Sequence, residues 1–452
     1  MPAQLAVPSS SDRMTQEEVP DGDDRSEFER DRDIILYSSA FKRLSGITQV
    51  VSAHIGHVFH NRLTHSLQVA QVGRSLVQKM KIRHLELAQA LGLDACAVEA
   101  GCLAHDLGHP PFGHIAEEGL NRLAGEGAEG FEGNAQSFRI VSELAFRSNL
   151  FNGLNLTRAT LRAILKYPWT YATRPVHDPV KRNKWGAYTS ELRPFEFATG
   201  NAEGGPTVRS AEAELMDWAD DLTYAVHDVE DFYRAAVIPL HRLRPSGKSG
   251  TQEVERERFL QYVWHRREKI PELKDITQDG LDRTFGDVLL SFFTIDTAYE
   301  GTRDQRARLR LFTSNLVGRY INGLKLKQLD DGEIVVDIDP GLKLEIAILK
   351  QLTWFYVIEA SSLAVQQHAQ KQLIRYLYKV FMQETKKSPS KLLPPYYRER
   401  LSEVLQNDGV SEPRVKRIVI DLIAGMTEAQ AIAVYQRLNG IVIGSALDNI
   451  LV

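Results

Sequence analysis

The segment "GCLAHDLGHPPFGH", residues 101–114, predicts both the fold class and the chemistry of this chain. Its apolar first half has helical spacing and ends in His105-Asp106, after which a glycine and two prolines follow. Glycine and proline directly after an apolar run are typical of a helix end. Because adjacent helical residues diverge by about 100°, both side chains can bind one metal ion only where two walls of a pocket meet. The segment therefore predicts a helix end that supplies two metal ligands and requires others from elsewhere.

The sequence on both sides of this segment has the period of α-helices. Apolar residues repeat at three- and four-residue spacing in "THSLQVAQVGRSLVQKM", residues 64–80, where Thr64 is the predicted N-cap. Further helices are predicted at about 135–148, 157–166, 211–238, 252–266, 284–298, 304–322, 341–384, 396–406, 412–424 and 427–439. Strand signals are scarce, and Asp-Asp-Gly between alternating apolar residues predicts one hairpin near 325–338. The predicted fold class is all-α, a helical bundle with additional C-terminal helices and a small β-hairpin.

Composition and charge exclude several classes of protein. The chain has 452 residues, 43% of them hydrophobic, and a formal net charge of -4, which gives no sign of a nucleic-acid or membrane partner. No apolar run approaches the roughly 18 residues that span a bilayer, and the N-terminus lacks the pattern of a signal peptide. The two cysteines, Cys96 and Cys102, are expected to be buried thiols in a reducing compartment. We therefore expect a cytoplasmic protein without a membrane partner.

Two other places in the sequence offer partners for the His-Asp pair. His65 lies at the start of an upstream helix, and Asp220, Tyr224 and Asp228 recur at four-residue spacing on an acidic helix. Taken singly, each is typical of an ordinary helix end or a solvated helix face. Together they form a nitrogen and oxygen ligand set that suits Mn, Fe, Co, Ni, Zn or Mg without choosing among them. Spacing alone leaves Asp220 and Asp221 as alternatives.

Three blocks in this order, "RLTHS" (62–66), "HDLGHPPFGH" (105–114) and "ADDLTYAVHD" (219–228), resemble the HD-domain superfamily. They are most similar to its branch of deoxyguanosinetriphosphate triphosphohydrolases (dGTPases) and dNTP triphosphohydrolases. The likeness extends to "RDRDIILYSSAFKRLSGITQV" (30–50), "FEGNAQS" (131–137) and "LTRATLRAILKYPW" (156–169). It covers about residues 26–235, whereas the C-terminal half resembles the family only in being helical. Residues 1–25 are polar, contain several prolines and have no period, so a flexible tail is expected there. The resemblance implies an HD-domain catalytic core at 26–240 and a helical region at 241–452 packed on it.

The resemblance also implies a metal site and a sugar site. It implies one divalent ion per active site, Mn, Mg, Co or Fe, and the ligands are His65, His105, Asp106 and Asp220. Asp220 is preferred to its neighbour because the family pattern Asp-x-x-x-Tyr-x-x-x-Asp then places Tyr224 and Asp228 at the deoxyribose.

Further residues are implied at the base and the phosphates. Gln49 would lie near the base and sugar, and Arg62 and Lys166 would bind the triphosphate. The implied catalytic residues are His109, His114 and Glu117: both histidines face the phosphates, Glu117 orients His114, and His114 protonates the departing 5′-oxygen. The animal enzymes have a further catalytic histidine where this chain has "FEGNAQS", so Glu132, Asn134 and Gln136 are alternatives for that role.

The implied activity is cleavage of a dNTP to a deoxynucleoside and inorganic triphosphate by a homo-oligomer, a tetramer or a hexamer. The alternatives are another HD-type phosphohydrolase, such as a phosphodiesterase or 5′-nucleotidase, and a catalytically weak nucleotide sensor or nucleic-acid-binding protein. Basic runs at 241–248, 264–269 and 303–312 are expected to be solvated faces or subunit contacts. An allosteric dNTP or single-stranded nucleic-acid site is the alternative there, because arginine clusters suit phosphates. Residues 167–210, rich in Pro, Gly, Trp and Tyr, are predicted to form a long loop of the kind that covers a site.

Overall fold

The computed structural model describes residues 9–19, 21–49, 60–200, 207–245, 251–407 and 411–444. Helices dominate these residues, which confirms the predicted all-α fold class. The helices of the first half are α1 (Glu27–Tyr37), α2 (Ser39–Arg43), α3 (Arg62–Arg83), α4 (Leu85–Ala90), α5 (Ala95–Ala104), α6 (His114–Ala124), α7 (Gly133–Arg139), α8 (Arg158–Ile164), α9 (Leu192–Thr199) and α10 (Ala211–Arg234).

The second half continues with α11 (Leu240–Leu243), α12 (Thr251–Arg266), α13 (Gln278–Phe292), α14 (Arg303–Asn322), α15 (Pro340–Thr353), α16 (Ser361–Glu384), α17 (Pro395–Asn407), α18 (Glu412–Ala424) and α19 (Glu428–Leu438). The predicted hairpin is confirmed: β1 (Leu324–Gln328) pairs antiparallel with β2 (Ile334–Ile338). Five short 3-10 helices and two π-helical turns, Ile140–Leu144 and Trp354–Ile358, complete the described elements.

Helix α3 begins earlier than its sequence pattern predicts. Asn61 is the N-cap, and its side chain accepts a hydrogen bond from the Thr64 backbone while the Thr64 hydroxyl accepts one from the Asn61 backbone. The prediction of Thr64 as N-cap is therefore wrong, because Asn caps a helix at least as well as Thr and Thr64 completes the capping box. The earlier start places Arg62 and His65 on one face of the first turn.

The prediction of one continuous helix at 341–384 is also wrong, because two helices occupy this range. Helix α15 runs into the π-helical turn Trp354–Ile358, Ala360 is extended with φ -66° and ψ 132°, and α16 begins at the next residue. Neither glycine nor proline marks this break, so the usual sequence signals of an interruption are missing. The break lets α15 and α16 line two parts of one cavity.

The described helices pack around two main apolar cores. The larger extends from Ile35 to Val357 and contains residues of α1, α3, α5, α10 and α12 to α15. The smaller joins α6 to α16, α17, α18 and α19, with Leu120, Phe381 and Ile423 fully buried. Because the larger core takes residues from both sides of position 240, the predicted catalytic core and C-terminal region pack on each other. Among the described helices none alone is long and apolar enough to cross a bilayer; α18 and α19 reach that length only as a pair bent by 111°.

The described part of the predicted N-terminal tail is attached to the helical core at several points, among them Glu17, which pairs with Arg147, and the buried Arg13. Arg13 is 8% exposed, and its guanidinium lies 2.7 Å from Glu27 Oε2 and 2.7 Å from Asp31 Oδ1 on α1. Asp31 is fully buried, so Arg13 compensates a charge that would otherwise be costly inside the protein. This point of the predicted tail is therefore fixed to the helical core, while residues 1–8 and 20 lie outside the described residues.

Candidate active site

The four predicted metal ligands converge beside a cavity of about 720 Å³. His65 comes from the first turn of α3, His105 and Asp106 follow α5, and Asp220 lies in the middle of α10. His65 Nε2 lies 3.1 Å from Asp220 Oδ1, and His105 Nε2 lies 3.5 Å from Asp106 Oδ1 and 3.6 Å from Asp220 Oδ1. We call these four residues the metal-ligand group.

The metal-ligand group fits a divalent cation by its donors and by their orientation. His105 Nδ1 donates to the Cys102 carbonyl oxygen at 2.6 Å, so Nε2 faces the carboxylates, where it makes no hydrogen bond with any described group. Burial lowers the pKa of His105, but the charges of Asp106 and Asp220 outweigh it and raise the pKa to about 9. The field that favours a proton on Nε2 equally favours a divalent cation in its place.

The turn after His105-Asp106 is held by α7. The Ser137 hydroxyl donates to the His105 carbonyl oxygen at 2.7 Å and accepts from the Gly108 backbone at 2.8 Å. A Cβ on Gly108 would lie 2.2 Å from the Gly133 carbonyl oxygen, so only glycine allows α7 to approach this closely. The glycine that ends the helical pattern in the sequence is therefore a packing requirement of the site.

Asp106 is also bound by two predicted substrate-facing residues. Arg62 Nη1 lies 2.7 Å from Asp106 Oδ2, and His109 Nδ1 lies 2.9 Å from Asp106 Oδ1. Burial raises the pKa of Asp106, but Arg62 and the neighbouring histidines lower it well below its usual range. Arg62 and His109 both line the cavity, and both also fix the carboxylate of a metal-ligand residue.

The two adjacent aspartates of α10 point to different partners. Asp220 contacts His65 and His105, whereas Asp221 Oδ1 lies 2.5 Å from Lys350 Nζ on α15. Lys166 forms an ion pair with Asp217 and lies 3.7 Å from Asp220 Oδ2. Asp217, Asp220 and Asp221 are close enough to one another to hold a cation, but lysines already neutralise this acidic cluster.

His114 and Glu117 form a pair at the start of α6. Gly113 precedes the helix with φ 58°, and His114 Nδ1 then lies 2.9 Å from Glu117 Oε2. Burial raises the pKa of Glu117, but the hydrogen bond and charge of His114, together with Lys184, lower it well below its usual range. The His114 side chain is 75% exposed at the cavity, so Glu117 orients a ring that remains accessible.

The predicted loop at 167–210 contributes to the cavity, and Leu192–Thr199 within it form α9, which was not predicted. Tyr167 and Lys184 line the cavity. Lys184 Nζ lies 3.0 Å from Glu132 Oε1 and 3.9 Å from Glu117 Oε1, and Trp169 Nε1 donates to the Lys184 carbonyl oxygen at 2.7 Å. Sequence reasoning missed both Lys184 and Lys350, because neither belongs to a recognisable motif.

The three candidates for the missing histidine have different surroundings. Glu132 caps α7 by accepting from the Asn134 and Ala135 backbones, and it pairs with Lys184. Gln136 donates to Asp421 at 3.0 Å and is 1% exposed, which turns it away from the cavity. Asn134 lines the cavity. The catalytic role itself stays a prediction, with Asn134 best placed for it.

Of the residues predicted to contact the sugar and the base, two line the cavity and one does not. Tyr224 and Gln49 line the cavity, and Gln49 Oε1 is buried without a hydrogen-bond partner in the described chain. Asp228 is 5% exposed and is not among the cavity-lining residues, and its Oδ2 has no partner within the described ranges. Burial raises the pKa of Asp228 well above its usual range. Its contact with a sugar hydroxyl stays a prediction.

One side of the cavity was not foreseen from the sequence. From Trp354 to the middle of α16 its lining residues carry no formal charge, and we call them the uncharged wall: Trp354, Ile358, Leu363, Gln366, Gln367 and Gln370. Glu428 of α19 also lines the cavity. A second set of residues, which we call the charged wall, consists of the metal-ligand group with Arg62, Lys166, Lys184 and Lys350. A cavity with these two walls suits a ligand that is anionic at one end and neutral at the other.

Two segments of the chain match known family models. Residues 62–225 match the HD domain, and residues 336–437 match the Phosphohydrolase-associated domain. A "Deoxyguanosinetriphosphate triphosphohydrolase-like protein" of Streptomyces coelicolor is 36% identical over 435 residues, which cover 92% of this chain and 93% of that protein.

Proteins of the same description from two other bacteria are also similar. The one from Corynebacterium efficiens is 33% identical over 445 residues, 92% of this chain and 92% of that protein. The one from Shewanella woodyi is 28% identical over 490 residues, 98% of this chain and 99% of that protein. The metal-ligand group falls within the first matched segment, and the uncharged wall falls within the second.

Proposed function

The chain belongs to the deoxyguanosinetriphosphate triphosphohydrolase-like family of HD-domain phosphohydrolases, and we propose that it cleaves dNTPs to a deoxynucleoside and inorganic triphosphate. Its family makes it a metal-dependent phosphohydrolase. The proposal adds the substrate class and the bond that is broken.

One observation carries the proposal: the metal-ligand group, four cationic side chains and Tyr224 adjoin the same cavity. A triphosphate needs several cationic groups, and Arg62, Lys166, Lys184 and Lys350 all line the cavity, each also paired with a carboxylate. A simple monophosphate would leave most of these charges unused. The number of cationic side chains at the cavity therefore favours a nucleoside triphosphate over a nucleotide monoester as the ligand.

A bound divalent ion would supply Lewis-acid activation of water and neutralise phosphate charge. His65, His105, Asp106 and Asp220 would hold it, and Mn, Mg, Co and Fe all suit this donor set. Arg62 contributes in two ways, because it fixes the carboxylate of Asp106 and presents its remaining N–H groups to phosphate oxygens. Lysines bind the same oxygens as point charges.

In this proposal His114 moves a proton to the leaving group. Glu117 holds its Nδ1, which leaves Nε2 available to the 5′-oxygen of the departing deoxynucleoside. Lys184 lies beside Glu117 and keeps this carboxylate in place. Breaking the bond between the α-phosphorus and that oxygen yields the two proposed products.

Tyr224 is the proposed sugar contact. It lies one helical turn beyond Asp220 on α10, so its ring adjoins the ion site and lines the cavity. A phenol ring packed against the sugar leaves little room for a 2′-hydroxyl, which favours deoxynucleotides. Asp228, one turn further, would accept a hydrogen bond from the 3′-hydroxyl or, in its protonated form, donate one.

The test is product analysis of the purified chain incubated with Mn²⁺ and each dNTP in turn. Deoxynucleoside and inorganic triphosphate in equal amounts are the expected products. Release of orthophosphate or pyrophosphate would contradict the proposal and favour another HD-type phosphohydrolase. Tight dNTP binding without turnover would contradict it in favour of a nucleotide sensor.

A further inference from the structure

One carboxylate of the C-terminal half connects two segments that build the candidate active site. Glu428, the first residue of α19, is 6% exposed and lines the cavity. Its Oε1 accepts hydrogen bonds from the Thr48 backbone at 2.9 Å and from the Phe112 backbone at 3.2 Å. Its Oε2 accepts one from the Thr48 hydroxyl at 2.8 Å. A single side chain therefore spans from the segment before α3 to the turn before α6.

The Thr48 end of this connection is anchored at the start of α3. Thr48 pairs with Asn61, the N-cap of α3, in an antiparallel bridge. The Arg62 backbone donates to the Ile47 carbonyl oxygen at 3.1 Å, and Ile47 is 1% exposed. Hydrogen bonds and burial thus fix Thr48 relative to the helix that carries the predicted metal ligand His65.

The Phe112 end of the connection is strained. Phe112 has φ 69° and Gly113 has φ 58°, so two successive residues have positive φ. Glycine adopts this conformation freely, whereas a residue with a side chain pays free energy for it and keeps it only where its surroundings hold it there. The two residues directly precede His114, the first residue of α6. The direction in which α6 leaves the turn therefore depends on this strained conformation.

The same part of the C-terminal half also holds the other end of this turn. We call Ala424–Glu428, where α18 ends and α19 begins, the α18–α19 corner. Arg43 Nη1 donates to two carbonyl oxygens of the corner, both at 3.0 Å. Its Nη2 donates to the carbonyl oxygens of Leu107 and His109, at 2.6 and 2.9 Å. The corner is thus bound to the beginning of the turn through Arg43 and to its end through Glu428.

We propose that Glu428 is a positioning residue for His114. It ties the strained turn to the anchored segment at Thr48, which fixes where α6 begins and how the His114 ring faces the phosphates. This role rests on the proposed function, in which His114 protonates the leaving group. It gives the second matched segment a part in the reaction, because a residue of 336–437 orders a turn that lies in 62–225.

Reach and charge can be separated at this position. Glu428→Gln removes the charge and keeps the reach: its Oε1 can accept from both backbones, and its amide can donate to the Thr48 hydroxyl oxygen. Glu428→Asp keeps the charge, which suits the first turn of a helix, and shortens the side chain by one methylene group. The shorter carboxylate cannot reach both segments. A positioning role therefore predicts that Glu428→Asp is impaired and that Glu428→Gln is not.

The first measurement is amide hydrogen exchange of the full chain, followed by mass spectrometry of a peptide that covers 107–113. We expect Glu428→Asp to speed exchange there about tenfold, because the Phe112 N–H loses its acceptor, and Glu428→Gln to exchange like wild type. Glu412→Asp is the matched control: Glu412 is the first residue of α18, its side chain is 71% exposed, and it pairs with Lys416. Unchanged exchange in Glu428→Asp would overturn the inference.

The second measurement is hydrolysis of dGTP with Mn²⁺ by the same variants. We expect Glu428→Asp to lower kcat about tenfold to a hundredfold and to keep KM within about threefold, since a displaced His114 ring slows proton transfer more than it weakens binding. Glu428→Gln should keep kcat within about threefold of wild type. Equal losses of kcat in the two variants would mean that charge matters instead of reach, and would overturn the positioning role.

Melting temperatures show which variants fold. If Glu428→Asp does not fold, Glu428→Gln decides, because a kcat more than about tenfold below wild type would overturn the inference and a wild-type kcat would support it. A loss in Glu412→Asp as large as that in Glu428→Asp would also overturn it. Absence of dGTP hydrolysis by the wild type would overturn the proposed function, whereas exchange at 107–113 would still decide whether Glu428 holds the turn.

Discussion

The charged wall and the uncharged wall of the cavity are built in opposite ways. Most groups of the charged wall are held by a neighbour: Arg62 by Asp106, Lys350 by Asp221, and Lys184 by Glu132. The cavity-lining glutamines of α16, Gln366, Gln367 and Gln370, make no hydrogen bond with a described residue, whereas Gln372 on the same helix accepts one from Arg375. The first wall is fixed before a ligand arrives, whereas the second retains the freedom to rotate its polar groups.

This difference indicates which side chains must hold a fixed position for the reaction. Stabilising charge that develops in a reaction requires dipoles and charges already in place. Binding a part of the substrate that does not react tolerates side chains that adjust to it. Changes to the charged wall should therefore reduce the rate, and changes to the uncharged wall should mainly alter selectivity.

The largest expected effect separates the two adjacent aspartates of α10. Asp220→Asn removes a carboxylate that contacts two histidines of the metal-ligand group, and we expect kcat/KM to fall about a thousandfold or more. Asp221→Asn removes only the partner of Lys350 and should stay within about tenfold of wild type. The comparison is made with dGTP and Mn²⁺ under single-turnover conditions. The reverse order would place the metal ligand at Asp221.

The next effect tests whether the loop at 167–210 belongs to the charged wall. Lys184→Met removes the cation beside Glu117 and Glu132, and we expect a loss of about tenfold to a hundredfold in kcat/KM. Lys181→Met is the matched control, because Lys181 is exposed and lies only near Asp178. Equal activity of the two variants would remove Lys184 from the site.

A smaller effect concerns the sugar. Tyr224→Ala opens space beside the metal-ligand group, and we expect the preference for dGTP over GTP to fall about tenfold. Rates for the two nucleotides are measured side by side at subsaturating concentration. Unchanged rejection of GTP would mean that Tyr224 does not contact the sugar.

The smallest effect is on stability and needs no turnover. Mn²⁺ at about a hundred times its dissociation constant should stabilise the folded chain by about 2.7 kcal/mol and raise its melting temperature by several degrees. His105→Ala should lose this shift, because it removes a buried nitrogen that faces two carboxylates. Differential scanning calorimetry with and without EDTA measures both. An equal shift in both proteins would place the ion elsewhere.

The charged wall was largely predictable because its ligands sit at helix positions that local sequence defines. His65 lies in a first turn, His105 and Asp106 follow a helix that ends in glycine and proline, and Asp220 opens a four-residue period. These residues do come together in the structure, and their roles as ligands remain predictions. The all-α class and the hairpin followed from periodicity and one turn signal.

The uncharged wall could not be predicted, because it depends on packing between distant segments. The break at Ala360 has no glycine or proline, and the glutamines of α16 look like an ordinary polar helix face until α16 packs on α6. Lys184 comes from a stretch without a period, whose course is set by buried Trp169 and Trp185. Sequence patterns record local structure well and long-range packing poorly.

The most direct test of attack at the α-phosphorus is hydrolysis of dGTP in water enriched in ¹⁸O, with the products resolved by mass spectrometry. The geometry of the charged wall predicts one ¹⁸O atom in inorganic triphosphate and unlabelled deoxyguanosine. Label in deoxyguanosine, or in released orthophosphate or pyrophosphate, would contradict it.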